Sequence, residues 1–177
     1  MSVLGELQPN KVFKYFEEIC SIPHGSRNLQ QISDYLVDFA KAHELKYRQD
    51  EDLNVIIWKD GSKGYEASEP VILQGHMDMV AVKEADCDKD MEKEGLDLEI
   101  NGDYISAKGT SLGGDDGIAV AYTLAVLDDE EMAHPPIEAI FTVNEEIGML
   151  GAATIDVSDL KGRLFMNMDS EDEGVFT

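Results

Sequence analysis

Histidine and carboxylates gather at four places in this sequence, each behind apolar or glycine residues. PVILQ-G leads into His76-Met77-Asp78, IFTV-N into Glu145-Glu146, LFMN-M into Asp169, and the glycine-rich stretch from Gly109 to Gly117 contains Asp115-Asp116. Any one of these has an ordinary explanation. Strand ends are often polar, and Asp115 and Asp116 fit an N-cap or first-turn role at a helix start. Taken together they are harder to explain as solvated surface. Carboxylates crowded at one edge repel one another, and a divalent cation is the usual remedy. Histidine mixed with Asp and Glu, and no Cys, suits zinc in a catalytic site, or manganese or cobalt in its place.

The spacing within each pair divides the work. Along an extended segment His76 and Asp78 point to the same side, so Asp78 is placed to orient the imidazole by accepting its far N–H. Glu145 and Glu146 are neighbours and face opposite ways. One can ligate while the other serves as general base toward a metal-activated water.

The elements that must position these groups follow from periodicity. Apolar residues at helical spacing predict a helix over roughly Pro9 to Ile22 and a second from about Asn28 to His43, with Asn28 as its N-cap. NVIIWK (Asn54 to Lys59) and PVILQ (Pro70 to Gln74) read as strands. Lys83 to Asp103 reads as a charged surface loop ending in a hairpin at Asn101-Gly102. A helix is expected from about Asp116 to Leu127, where Gly117, Ala119 and Ala121 imply close packing, and a buried strand from Ile137 to Val143. Gly151 to Ile155 and Ser158 to Leu160 read as short helical pieces, and Leu164 to Met168 as the last strand. Alternating strands and helices predict an α/β fold with a mostly parallel sheet flanked by helices. In such sheets ligands bind beyond the carboxyl ends of the strands, where the histidine and acids fall.

Composition narrows the partners. With 37 acidic against 14 basic residues the net charge is −23, which excludes nucleic acid and anionic membranes as natural partners. The first twenty residues lack the charged-then-apolar order of a secretory signal, so a cytoplasmic location is expected. Cys20 and Cys87 have no metal-binding spacing and read as free thiols.

Five segments, SIPHGSRN, VILQGHMDMV, GTSLGGDDGIAVAY, IEAIFTVNEEIGMLGA and MNMDSEDEG, resemble the M20 family metallopeptidases in order and across nearly the whole chain. The GGDDG form resembles the aminoacyl-histidine dipeptidase branch. The resemblance implies a zinc-peptidase (phosphorylase/hydrolase-like) catalytic domain that hydrolyses Xaa-His dipeptides with two zinc ions. His76 and Asp169 would ligate one zinc and Glu146 the other. Asp115 would bridge them, Asp78 would orient His76, and Glu145 would be the general base acting on a metal-bridging water. A cis peptide bond after Asp115 is also implied.

The family pattern is not complete in residues 1–177. Longer members carry a further histidine ligand near their C-terminus and an inserted lid and dimerisation domain. The expected reading is therefore the N-terminal part of the catalytic domain of a homodimeric enzyme, with weak or absent catalysis by this chain alone. His24, His43 and His134 do not occupy that late motif and are expected not to ligate. Two alternatives stay open: another activity of the same family (carboxypeptidase, deacylase or tripeptidase), or a truncated, non-catalytic metal-binding relative.

Overall fold

The computed structural model describes residues 2–170, so Glu171 to Gly174 of the last motif lie outside the described residues. Two amphipathic helices come first, α1 (Asn10–Cys20) and α2 (Gln30–Ala42), followed by strands β1 (Lys46–Gln49), β2 (Val55–Lys59) and β3 (Val71–His76). A hairpin of β4 (Leu98–Asn101) and β5 (Tyr104–Ala107) precedes helix α3 (Gly114–Leu127). Strand β6 (Ile137–Thr142), the short helix α4 (Leu150–Thr154) and strand β7 (Leu164–Asn167) complete it.

The main sheet has the order β1-β2-β6-β3-β7. β3 lies between β6 and β7 and is parallel to both, while β2 is antiparallel to both β1 and β6. Four of the five strands therefore point the same way, and the expected mostly parallel sheet is present. Its two faces sort by the period of two. Val55, Ile57, Ala139 and Phe141 join the main core with α1, α2 and α3, whereas Ile56, Ile72 and Ile140 form a smaller cluster with Trp58, Ile155 and Leu160.

Four features differ from the sequence-based expectation. Ser158 to Leu160, expected as a short helical piece, forms a turn after α4. β1 has no apolar alternation (KYRQ) and is half exposed, because it is an edge strand held by main-chain pairing to β2 and by Lys46 Nζ lying 4.4 Å from the Trp58 ring centre. Asn28 does not cap α2. Leu29 occupies the N-cap position, and Asn28 Nδ2 instead donates to the Glu92 carbonyl at 2.9 Å. The small residues of α3 serve two partners: Gly117 faces Phe16 of α1, and Ala119 faces Gly75 of β3.

Candidate metal centre

β3 ends at His76, whose side chain is 1% exposed. Its Nδ1 lies 2.9 Å from the main-chain carbonyl of Asp78, which fixes a proton on that nitrogen and makes Nε2 the ring nitrogen that faces the acids. Nε2 faces Asp115 Oδ1 at 3.0 Å. Asp115 and Asp116 open α3 with non-helical backbone angles and a cis peptide between them. One side chain turns out and the other in: Asp115 is 72% exposed, whereas Asp116 is buried and its Oδ2 accepts the His76 main-chain N–H at 3.1 Å. This approach requires a glycine on β3, since a Cβ at Gly75 would meet Asp116 Oδ2 at 2.8 Å. Gly113 precedes the helix at φ +68, a conformation that suits glycine.

The loop after β6 brings the two glutamates. Asn54 pins its base: Oδ1 accepts the Val143 N–H at 3.1 Å, and Nδ2 reaches the Gly151 carbonyl at 3.3 Å. Asn144 takes a left-handed backbone (φ +53) and its Oδ1 accepts the Arg27 N–H at 2.8 Å. The Glu145 N–H donates to Asp78 Oδ1 at 3.0 Å, and Glu145 Oε2 sits 3.9 Å from His76 Nε2. Ligand atoms of His76, Asp115 and Glu146 lie within 4.8 Å of one another. Two ligands of one zinc are at most about 4 Å apart, so a small inward adjustment brings these three to a common ion.

Asp169 follows β7, is exposed, and shares a cavity of about 340 Å³ with Asp115 and Asp116. It is thus beside the cluster but not within the tight group. Asp78 is next to His76 as expected, yet the atom that receives the imidazole N–H is its carbonyl. Its carboxylate Oδ1 is 3.6 Å from Nδ1 and is engaged by the Glu145 amide. The other histidines are elsewhere. His24 Nδ1 lies 2.6 Å from the Ile22 carbonyl, His43 packs on Phe39, and His134 Nδ1 lies 2.8 Å from the Pro135 carbonyl.

The charges are mutually strained. Burial disfavours a proton on His76, but Asp78 and the charge of Asp116 outweigh it, and its pKa is pushed up to about 9. Burial pushes Asp116 up to about 7, with His76 opposing and Asp169 and Asp115 adding to the rise. Burial and the Asp115 charge also raise Glu146. Asp78 is held below the usual carboxylate range: burial works against this, and contact with His76 and hydrogen bonds from the Glu145 amide and Ser26 overcome it. Among the described residues no Lys or Arg forms an ion pair with any of these carboxylates. A histidine whose Nε2 faces converging carboxylates, with no Lys or Arg among them, is a donor set that fits a divalent metal once that nitrogen gives up its proton.

Residue spacing had no means of revealing Asn54, Asn144 and Ser26, which hold the site through single polar contacts between distant segments. Asp116 was visible as an acid beside Asp115, but its buried role as acceptor for the His76 amide depends on the approach of α3 to β3.

No protein-family model matches the chain. It is 40% identical over 174 residues to the cytosol non-specific dipeptidase of Escherichia coli, covering 98% of this chain and 36% of that protein. The aminoacylhistidine dipeptidase structure from Vibrio alginolyticus superposes with a TM-score of 0.93 at 40% identity, covering 97% of this chain and 35% of that one. A tripeptidase from Staphylococcus aureus shares the fold at 23% identity, with a TM-score of 0.76 over 95% of this chain and 45% of that one. The chain therefore spans just over a third of the length of the two dipeptidases it matches.

Proposed function

The chain is a homologue of the cytosol non-specific and aminoacylhistidine dipeptidases, and on that premise we propose that it carries the metal-binding part of an M20-type dipeptidase site, hydrolysing Xaa-His dipeptides with two zinc ions. The observation that carries this reading is the convergence of His76, Asp115 and Glu146 within 4.8 Å at the carboxyl end of the parallel strands. His76, Asp115, Glu146 and Asp169 would hold the metal pair, with cobalt or manganese as substitutes. When bound, zinc would polarise the scissile carbonyl and make water acidic enough to attack at neutral pH.

The remaining steps belong to side chains. Asp78 fixes the imidazole through its carbonyl, so His76 presents Nε2. Glu145, tied by its amide to Asp78, takes the proton from the attacking water and passes it to the leaving amine. The peptide substrate, a cytoplasmic location and a dimeric full-length protein come with the same proposal. Support for the location is the relative's cytosolic name.

The test is an assay of the zinc-loaded protein, as its gene encodes it, on Xaa-His dipeptides beside N-acyl amino acids. The proposal expects dipeptide cleavage that falls by about 100-fold or more in Glu145→Gln. Preference for the acyl substrates, or full activity in that variant, would overturn it.

A further inference from the structure

The buried carboxylate of Asp78 is a junction between three segments distant in sequence. Its side chain is 0% exposed. Oδ1 receives the Glu145 main-chain N–H at 3.0 Å, and Oδ2 receives the Ser26 hydroxyl at 2.7 Å. Ser26 belongs to the turn between α1 and α2, part of the SIPHGSRN segment, to which no role in the site has been given.

That turn is itself anchored. The Met79 N–H donates to the His24 carbonyl at 3.2 Å, the Ser26 N–H donates to the Met79 carbonyl at 3.2 Å, and the Arg27 N–H donates to Asn144 Oδ1 at 2.8 Å. The serine oxygen is thus delivered to Asp78 by a backbone that is paired on both sides.

We infer that Ser26 is a positioning residue of the metal centre: its hydroxyl holds the Asp78 carboxylate in the orientation that receives the Glu145 amide, and so sets where Glu145 and Glu146 stand relative to His76. A buried ionised carboxylate must have its lone pairs matched by donors. With Ser26 in place each oxygen has one donor, and rotation would break both bonds. Without the hydroxyl, Oδ2 loses that partner, while His76 Nδ1 stands 3.6 Å from Oδ1. A carboxylate that turned toward it would release the Glu145 amide and draw the imidazole from the Asp78 carbonyl. Both consequences disturb the orientation of first-rank ligands, and loss of such outer partners typically weakens metal affinity by about 10–100-fold.

The inference rests on the metal-binding reading, so two readouts are combined. The first is zinc affinity by competition with a chromophoric chelator, for the wild-type chain, Ser26→Ala and Ser26→Thr. Weakening by about 10-fold or more in the alanine variant, with recovery in threonine, is the expected result. Equal affinity in all three would overturn the inference. The second readout needs no metal: the amide proton resonance of Glu145 in the zinc-free protein. It should move upfield in Ser26→Ala and stay in place in Ser26→Thr. If the wild-type chain binds no zinc, the metal reading fails, and this resonance alone decides whether Ser26 positions Asp78. An unmoved resonance in the alanine variant rejects the inference. Should that variant not fold, Ser26→Cys, nearly isosteric and a weaker donor, is read the same way.

Discussion

His76 in the zinc-free chain is caught between a proton and a metal. Its pKa is pushed up to about 9, so at neutral pH Nε2 carries a proton that zinc must displace. Zinc affinity is therefore predicted to rise steadily from pH 6 to pH 9 and level off above, measured by chelator competition at each pH. The same proton affects folding. A group whose folded pKa lies above its unfolded value of about 6.5 stabilises fully below that value. Its contribution disappears as pH rises through about 9. Asp116 is also raised, from 3.8 to about 7, so in the zinc-free chain stability falls as pH rises from about 4 to about 7, and the whole cost is in place above that. Asp116→Asn keeps an acceptor for the His76 amide and removes the buried charge. The rise from 3.8 to about 7 already includes the attraction to His76 and, at about 1.4 kcal/mol per pKa unit, bounds the gain at pH 8 at roughly 4 kcal/mol. Urea denaturation of the zinc-free proteins measures it; a loss of stability would contradict the burial argument.

At the level of elements, the site depends on how loops are tied to strands. Asn54 is 1% exposed and satisfies the Val143 N–H and the Gly151 carbonyl at the base of the glutamate loop. Asn54→Ala leaves a buried amide without a partner, and a loss of about 1–3 kcal/mol is predicted by urea denaturation. The α3–β3 approach has a similar single point of dependence. Gly75→Ala would place a methyl 2.8 Å from Asp116 Oδ2 and 3.1 Å from the Ala119 Cβ. Overpacking of this kind costs about 1–3 kcal/mol, again read from the urea midpoint.

This is also the scale at which the sequence was most and least readable. Strands β2, β3 and β6 were visible as short apolar runs, β6 buried along its whole length and β2 and β3 buried in part. β1 was not, because an edge strand stabilised by main-chain pairing needs no apolar pattern. Asn28 looked like a cap by residue type, but its amide found the Glu92 carbonyl across the fold instead. The acids His76 approaches were legible from their position after apolar runs. The serine and asparagines that hold them were not, since one hydrogen bond across 52 or 117 residues leaves no periodic trace.

Over the whole molecule, the acids of the site belong to a chain of net charge −23. A divalent cation is drawn to such a field, and added salt should slow its capture by screening.

The central claim is that His76, Asp115 and Glu146 form a metal site. Calorimetric titration of the chain with zinc at pH 7.5, beside Asp115→Ala, tests it most directly. Saturable binding by the wild-type chain, weakened at least about 10-fold in the variant, is the predicted result. No saturable binding, or equal affinity in the two proteins, would contradict it.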